Sequence, residues 1–231
     1  MSGTAVLLSG GLDSAVLLAD EATRGEVQPI YVSVGLAWES AERAMVSRFL
    51  EHPRLAGRVR PLVALSVDMR DVYEATHWAV RGRPPAYHTP DEDVYLPGRN
   101  VVLLGKAGVY SAAAKLERLV LGTLEHNPFP DATPEFRGAM ARALTLGLAH
   151  DLRIDAPYAG SSKAQIVARG IELGVPFDLT LSCMNPHSAV GNPKSAIHCG
   201  LCSKCRERHD AFIELGVADP TVYEDQRHVR A

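Results

Sequence analysis

Two short stretches of this 231-residue chain hold reactive residue types at informative spacings. The first is Ser9-Gly10-Gly11-Leu12-Asp13-Ser14, which directly follows an apolar run at 4–8. Two adjacent glycines let the backbone bend so that several N–H groups converge on one anion. A helix starting there adds its positive end, and the Ser9 and Ser14 hydroxyls can add donors. A phosphate or pyrophosphate is the natural guest. No lysine follows, as a G-x-x-x-x-G-K-[ST] loop requires, and the pattern is not G-x-G-x-x-G. The bland alternative is a tight turn with Asp13 capping a helix. Its place after the first strand of a β-α-β pattern favours the anion loop.

The second stretch is Cys183-x15-Cys199-x2-Cys202-x2-Cys205, which contains every cysteine in the chain. Four thiolates form the usual closed, tetrahedral structural zinc site. Gly200 eases the turn between the first two of the three close cysteines. Such an ion would pin a Pro/Gly-rich segment that buries little of its own surface. An iron–sulfur cluster also favours Cys-x2-Cys-x2-Cys. His187 or His198 could replace a thiolate, although His198 suits a neighbour better because four sulfurs suffice.

These stretches need a scaffold. Apolar, partly β-branched runs at 4–8, 29–34, 62–67, 119–122 and 152–156 read as strands. Helical spacing appears at 13–22, 39–50, 97–115, 134–149, 163–173 and 204–215. The alternation predicts an α/β fold: an open parallel sheet of about five strands with helices on both faces. Residues 70–95 read as mostly irregular, with Pro84, Pro85 and Pro90, and a loop that long is expected to cover a ligand in part. The composition shifts near Pro176. The expected division is a nucleotide-binding domain at 1–175 and a small metal-binding segment with a final helix at 176–231.

Hydrophobic residues make up 46% of the chain, enough for a full core, and the net charge of −3 offers no basic stripe for nucleic acid. Arg206, Arg208 and His209 read as a solvated helix face. No leader peptide or membrane-spanning run is evident, so a cytoplasmic location is expected, where clustered cysteines favour metal over disulfides.

The Ser9–Ser14 hexapeptide looks like the PP-loop of the N-type ATP pyrophosphatases, which cleave ATP between the α and β phosphates and adenylate a substrate oxygen. Pro97-Gly98-Arg99-Asn100 and the cysteine spacing narrow the match. With them, the chain resembles the 7-cyano-7-deazaguanine synthase family over most of its length. Further matching pieces are Pro130-Asp131, Pro134-Glu135-Phe136, Lys163, Glu172-Leu173-Gly174-Val175-Pro176 and Thr180-Leu181-Ser182-Cys183, with Arg208 and Phe212 behind the last cysteine. The resemblance implies a PP-loop, Rossmann-type fold. It implies a ligase that converts 7-carboxy-7-deazaguanine to its nitrile with ATP and ammonia. Leu8, Ser9, Gly10, Gly11, Leu12, Asp13, Ser14, Gly98, Arg99, Asn100 and Gly122 would then hold ATP and its Mg²⁺. Asp13, Arg99 and Lys163 would be catalytic, Glu125, His126 and Asp131 would face the substrate, and the four cysteines would hold Zn²⁺. A homodimer without nucleic-acid or membrane partners is implied.

The chain departs from the family where a substrate ring would be read. The family has a Tyr-Gly-Gln-Arg-His-like string after the second strand, where this chain has Val34-Gly35-Leu36-Ala37-Trp38-Glu39. Its Asp-x-Ser-Gly-Tyr-Pro-Asp-Cys-Arg segment is here the shorter Glu125-His126-Asn127-Pro128-Phe129-Pro130-Asp131-Ala132-Thr133. Changes in a buried polar site alter substrate choice strongly. The alternatives are a ligase for another carboxylate or one stopping at the amide, a tRNA-thiolation-type enzyme, and a nucleotide-binding regulatory module. His77, His88 and His126 either line the pocket or face solvent.

Overall fold

The computed structural model describes residues 3–188 and 196–229. Its elements run β1 (Gly3–Leu7), α1 (Leu12–Arg24), β2 (Val27–Ser33), α2 (Glu39–Leu50), β3 (Val63–Ser66), α3 (Trp78–Arg81), α4 (Arg99–Ala113), β4 (Leu116–Val120), α5 (Pro134–Leu148), β5 (Arg153–Asp155), α6 (Lys163–Leu173), β6 (His187–Ser188), β7 (Ala196–Ile197) and α7 (Ser203–Leu215). The five long-range strands form one parallel sheet in the order β3-β2-β1-β4-β5, as the alternation predicts.

Alternate residues of each strand face opposite sides, and both sides are buried. Ala5, Ile30, Val32 and Leu119 pack with Leu104 and Ala107 of α4. Val6, Tyr31 and Val120 pack with Leu17 and Leu18 of α1 and with Ile166 and Val167 of α6. Each Val, Leu or Ile among them contributes roughly 1.5–3 kcal/mol on full burial. Gly170 lets α6 approach closely: a Cβ there would sit 2.8 Å from Val16 of α1.

β4 begins three residues earlier than its apolar run at 119–122 suggests. Arg118 interrupts the hydrophobic pattern, yet it is accommodated in the strand by ion pairs to Glu21 at 2.5 Å and Asp155 at 2.6 Å. The short helix α3 inside the irregular 70–95 stretch, and the antiparallel β6–β7 pair, lie below the length that hydrophobic periodicity detects. Among the described residues no helix is long and apolar enough to cross a membrane.

The sheet order reverses around β1: the chain leaves it for β2 and β3 on one side and returns to β4 on the other. Ligands of open α/β sheets bind outside the carboxyl ends of strands at such a switch point.

Candidate active site

A cavity of about 580 Å³ opens there, in the usual size range of small-molecule sites. Leu8, Ser9, Gly11, Leu12, Asp13 and Ser14 of the turn after β1 line it, as does Gly122 after β4. Gly10 and Gly98, expected to hold ATP, are not part of the cavity wall. Gly10 has φ +82°, and a Cβ there would meet Val46 of α2 at 2.9 Å, so both conformation and space demand glycine. Its carbonyl accepts Leu181 N–H at 2.8 Å, tying the turn to the cysteine-bearing segment. Within the turn, Gly11 N–H donates to Ser9 Oγ at 3.3 Å and Ser14 Oγ donates to Gly11 O at 2.9 Å.

Lys163 reaches this turn from the first position of α6. A capping box sets that position: Ser162 Oγ accepts Gln165 N–H at 3.3 Å, and Gln165 Oε1 accepts Ser162 N–H at 2.9 Å. Its Nζ lies 3.2 Å from Asp13 Oδ2 and 2.8 Å from Glu207 Oε2. Lys204 also pairs with Glu207. Lys163 is therefore a partly buried, ion-paired group facing the cavity, not an exposed helix lysine. Burial alone would lower its pKa, but Asp13 and Glu207 together hold it above the ordinary lysine value. Burial would likewise raise Glu207, yet Lys163 and Lys204 bring it down to about 2. Asp13 Oδ1 is buried without a hydrogen-bond partner, a free acceptor beside the Gly-rich turn.

Across the cavity stands the N-terminus of α4. Arg99 lines the wall, and its buried Nε has no partner. Asp131 also lines the cavity but is mainly a cap: Oδ2 accepts the Asn100 backbone N–H at 3.0 Å, and Oδ1 accepts the Asn100 side chain at 3.3 Å. Asn100 thus spends its amide on Asp131. Glu125 and His126 lie at the rim, with the His126 side chain 91% exposed. His77 caps α3 through Nδ1, accepting Ala79 N–H at 3.2 Å, and His88 packs edge-on against Tyr87; neither belongs to the cavity wall. The 70–95 stretch does contribute, through Trp78, Asp91, Val94 and Tyr95.

Several site residues have no motif to announce them. Glu207 and Lys204 come from α7, and only helical spacing from the cysteines could have pointed to them. Glu42 of α2 forms the wall at the β2 end, beside Tyr31, Trp38 and Trp78. Tyr31 Oη donates to Glu42 Oε2 at 2.9 Å and Trp38 Nε1 donates to Oε1 at 3.1 Å. Burial raises the Glu42 carboxyl to about 7, against the lowering influence of Arg99. Glu39, by contrast, is consumed by the loop after β2, where it accepts Val34 N–H at 2.8 Å and Gly35 N–H at 3.2 Å.

The four cysteines are buried, with their sulfurs within 4.8 Å of one another. The Cys202–Cys205 and Cys199–Cys205 separations are 3.5 and 3.9 Å. One tetrahedral ion about 2.3 Å from each sulfur requires sulfurs about 3.8 Å apart, so the donors fit a single metal ion. Backbone N–H groups of Asn185 and Cys199 donate to Cys183 Sγ at 3.3 and 3.2 Å, fixing that sulfur's position in the cluster. Gly200 has φ +76°, and a Cβ there would strike the Asp225 carbonyl. His198 stays outside the cluster. It accepts Ser182 N–H at 3.0 Å through Nε2, and burial lowers its pKa to about 3.

Arg208 and His209 are not a solvated face. Arg208 is wholly buried, donating to Thr180 Oγ1 at 2.7 Å and the Phe177 carbonyl at 3.0 Å, with Asp219 3.3 Å away. Arg206 holds the stretch above the cavity, donating to the Tyr87 and Thr89 carbonyls at 3.0 Å each and pairing with Asp91.

A parallel sheet of this order, with an anion-type turn after its first strand and a four-cysteine segment at its end, defines an α/β protein of the PP-loop, Rossmann-type class. The chain belongs to the QueC family: the family described as "Queuosine biosynthesis protein QueC" matches residues 4–216. The 7-cyano-7-deazaguanine synthase of Methanopyrus kandleri is 35% identical, over 96% of this chain and 99% of that protein. That of Anaeromyxobacter dehalogenans is 36% identical over 94% of each. That of Caldicellulosiruptor bescii is 33% identical over 95% of this chain and 96% of its own.

Proposed function

We propose that the protein uses ATP and ammonia to convert 7-carboxy-7-deazaguanine to 7-cyano-7-deazaguanine. The observation that carries this reading is the Lys163–Asp13 contact, 3.2 Å long, at the mouth of the Gly-rich turn. The turn's backbone amides and the start of α1 face the departing pyrophosphate. Lys163 and Arg99 offset charge on the transferring α-phosphoryl group. Asp13, whose buried Oδ1 has no hydrogen-bond partner, would hold Mg²⁺, and the ion would neutralise phosphate charge when bound with ATP.

The substrate carboxylate oxygen attacks the α-phosphorus and pyrophosphate leaves. Ammonia attacks the acyl carbon, loses a proton, and AMP departs to leave an amide. The amide oxygen attacks the α-phosphorus of a second ATP and pyrophosphate leaves again; loss of AMP and the two remaining N–H protons gives the nitrile. The residues contribute position and charge, as in-line displacement needs. The cysteine set, sized for one tetrahedral ion, suits Zn²⁺ in a structural role. Ammonia, a homodimer and a cytoplasmic setting complete the reading.

Mass spectrometry of products from ATP, ammonium and 7-carboxy-7-deazaguanine tests it. Nitrile with two AMP per turnover is expected. Amide as the sole product would point to a ligase that stops halfway, and absence of AMP would overturn the reading.

A further inference from the structure

We propose that Glu42 is the specificity-determining residue of the cavity, reading the paired N–H donors of a 2-amino-4-oxo pyrimidine ring. This rests on the deazaguanine reading of the same site and names the group that recognises the ring.

Glu42 stands in the cavity wall as a buried residue, 7% exposed. Its hydrogen-bond partners are two neutral donors, Tyr31 Oη at 2.9 Å and Trp38 Nε1 at 3.1 Å, one on each oxygen. Those bonds fix the plane of the carboxyl group. A carboxylate has about four acceptor positions, so one remains on each oxygen. Two parallel acceptors match a ring edge that carries two adjacent donors. A guanine-type lactam ring offers such an edge through its ring N–H and its 2-amino group. Adenine offers a donor beside an acceptor, whose lone pair would face the second carboxylate oxygen. The charge pattern therefore separates the substrate ring from the nucleotide base.

The surroundings agree. Trp38 and Trp78 stack with centroids 5.9 Å apart and planes 8° apart, giving this end of the cavity aromatic surface for a flat ligand. Glu39, the other carboxylate on this turn of α2, is held by the loop backbone and is not free to read a ligand. Burial holds the Glu42 carboxyl up to about 7, with Arg99 opposing and Glu39 reinforcing the rise, so two incoming donors would draw it into its charged form. Trp38 stands where the family string differs, and its indole N–H is one of the two bonds that aim Glu42.

The test is equilibrium binding of 7-carboxy-7-deazaguanine, of its 2-desamino analogue, and of the non-hydrolysable α,β-methylene-ATP to wild type and to Glu42→Gln. Wild type is expected to prefer the 2-amino compound by at least about tenfold. Glu42→Gln should lose about 30-fold or more in affinity for it, erase the preference, and leave the nucleotide constant unchanged. A variant that keeps the preference, or loses nucleotide affinity in step, overturns the proposal. A wild type without the preference overturns it too, whether or not the variant folds. If the acid itself is not the substrate, 7-deazaguanine against 7-deazahypoxanthine gives the same comparison without the carboxylate, so the two failures are distinguishable.

Discussion

Lys163 Nζ sits between Asp13 and Glu207, 3.2 Å from one carboxylate and 2.8 Å from the other. These three residues come from the starts of α1 and α6 and from the last helix, so their meeting ties the Gly-rich turn to the cysteine-bearing segment. Removing the ammonium leaves two partly buried carboxylates facing each other. Lys163→Ala should lower the rate of AMP release by about 10²–10³-fold, the scale of losing one preorganised positive group. Single-turnover kinetics with labelled ATP measures it. Near-normal release would assign the lysine to folding alone.

Glu207 gives a pH signature. Its carboxyl is held down to about 2 in the folded protein, against an unfolded value of 4.5, by Lys163 and Lys204. Stability from this group is present above pH 4.5 and lost as pH falls toward 2. At pH 7, Glu207→Gln should lower Tm by roughly 5 °C. The difference from wild type should shrink between pH 4.5 and 2. Calorimetry across that range checks both.

Glu42 has the opposite sign. Its folded pKa of about 7 lies above its ordinary 4.5, so its protonated form is favoured by folding. The associated stability is complete below pH 4.5 and lost as pH rises through 7. Glu42→Gln keeps a neutral side chain of the same shape. Relative to wild type it should gain Tm on going from pH 5 to pH 8. A flat difference would show that the carboxyl is ionised throughout.

The cysteine set predicts one tightly held ion per chain. Zinc should be found by elemental analysis, and the protein should be colourless near 400 nm, which an iron–sulfur cluster would not be. Cys202→Ser, or a strong chelator, should remove the ion and reduce thermal stability by several degrees or more, because metal binding is folding energy for such a segment.

Asp131 tests the helix that presents Arg99. Its carboxylate accepts the Asn100 backbone N–H at 3.0 Å, the role of an N-terminal cap borrowed from a distant loop. Asp131→Ala should cost about 1 kcal/mol, read from urea unfolding, in line with other lost caps.

What was legible in the chain was what neighbouring residues announce. Gly10-Gly11 and Cys202-x2-Cys205 act within a single turn, so spacing alone exposes them. Strand positions followed apolar runs except where Arg118 broke β4, because its charge is matched by Glu21, 97 residues earlier. Glu207 lies 44 residues from Lys163, and Tyr87 lies 122 residues before His209; no local pattern reports such meetings. Arg208 shows the same limit. A charged residue reads as solvated until Thr180 and Asp219 are known to receive it.

The stretch above the cavity is fastened to the start of α7. Ser203 N–H donates to the Pro85 carbonyl at 3.3 Å, Ala86 bridges to Cys202, and Arg206 grips Tyr87 and Thr89. The cysteine knot is thus the hinge-pin of a ceiling. On the proposed reaction, a chain without its ion would lose the support behind those contacts, beside the cavity where an activated acyl group would have to survive. If the proposed reaction holds, metal supply would then bear on how much ATP is lost to hydrolysis, as well as on how firmly the tail is folded.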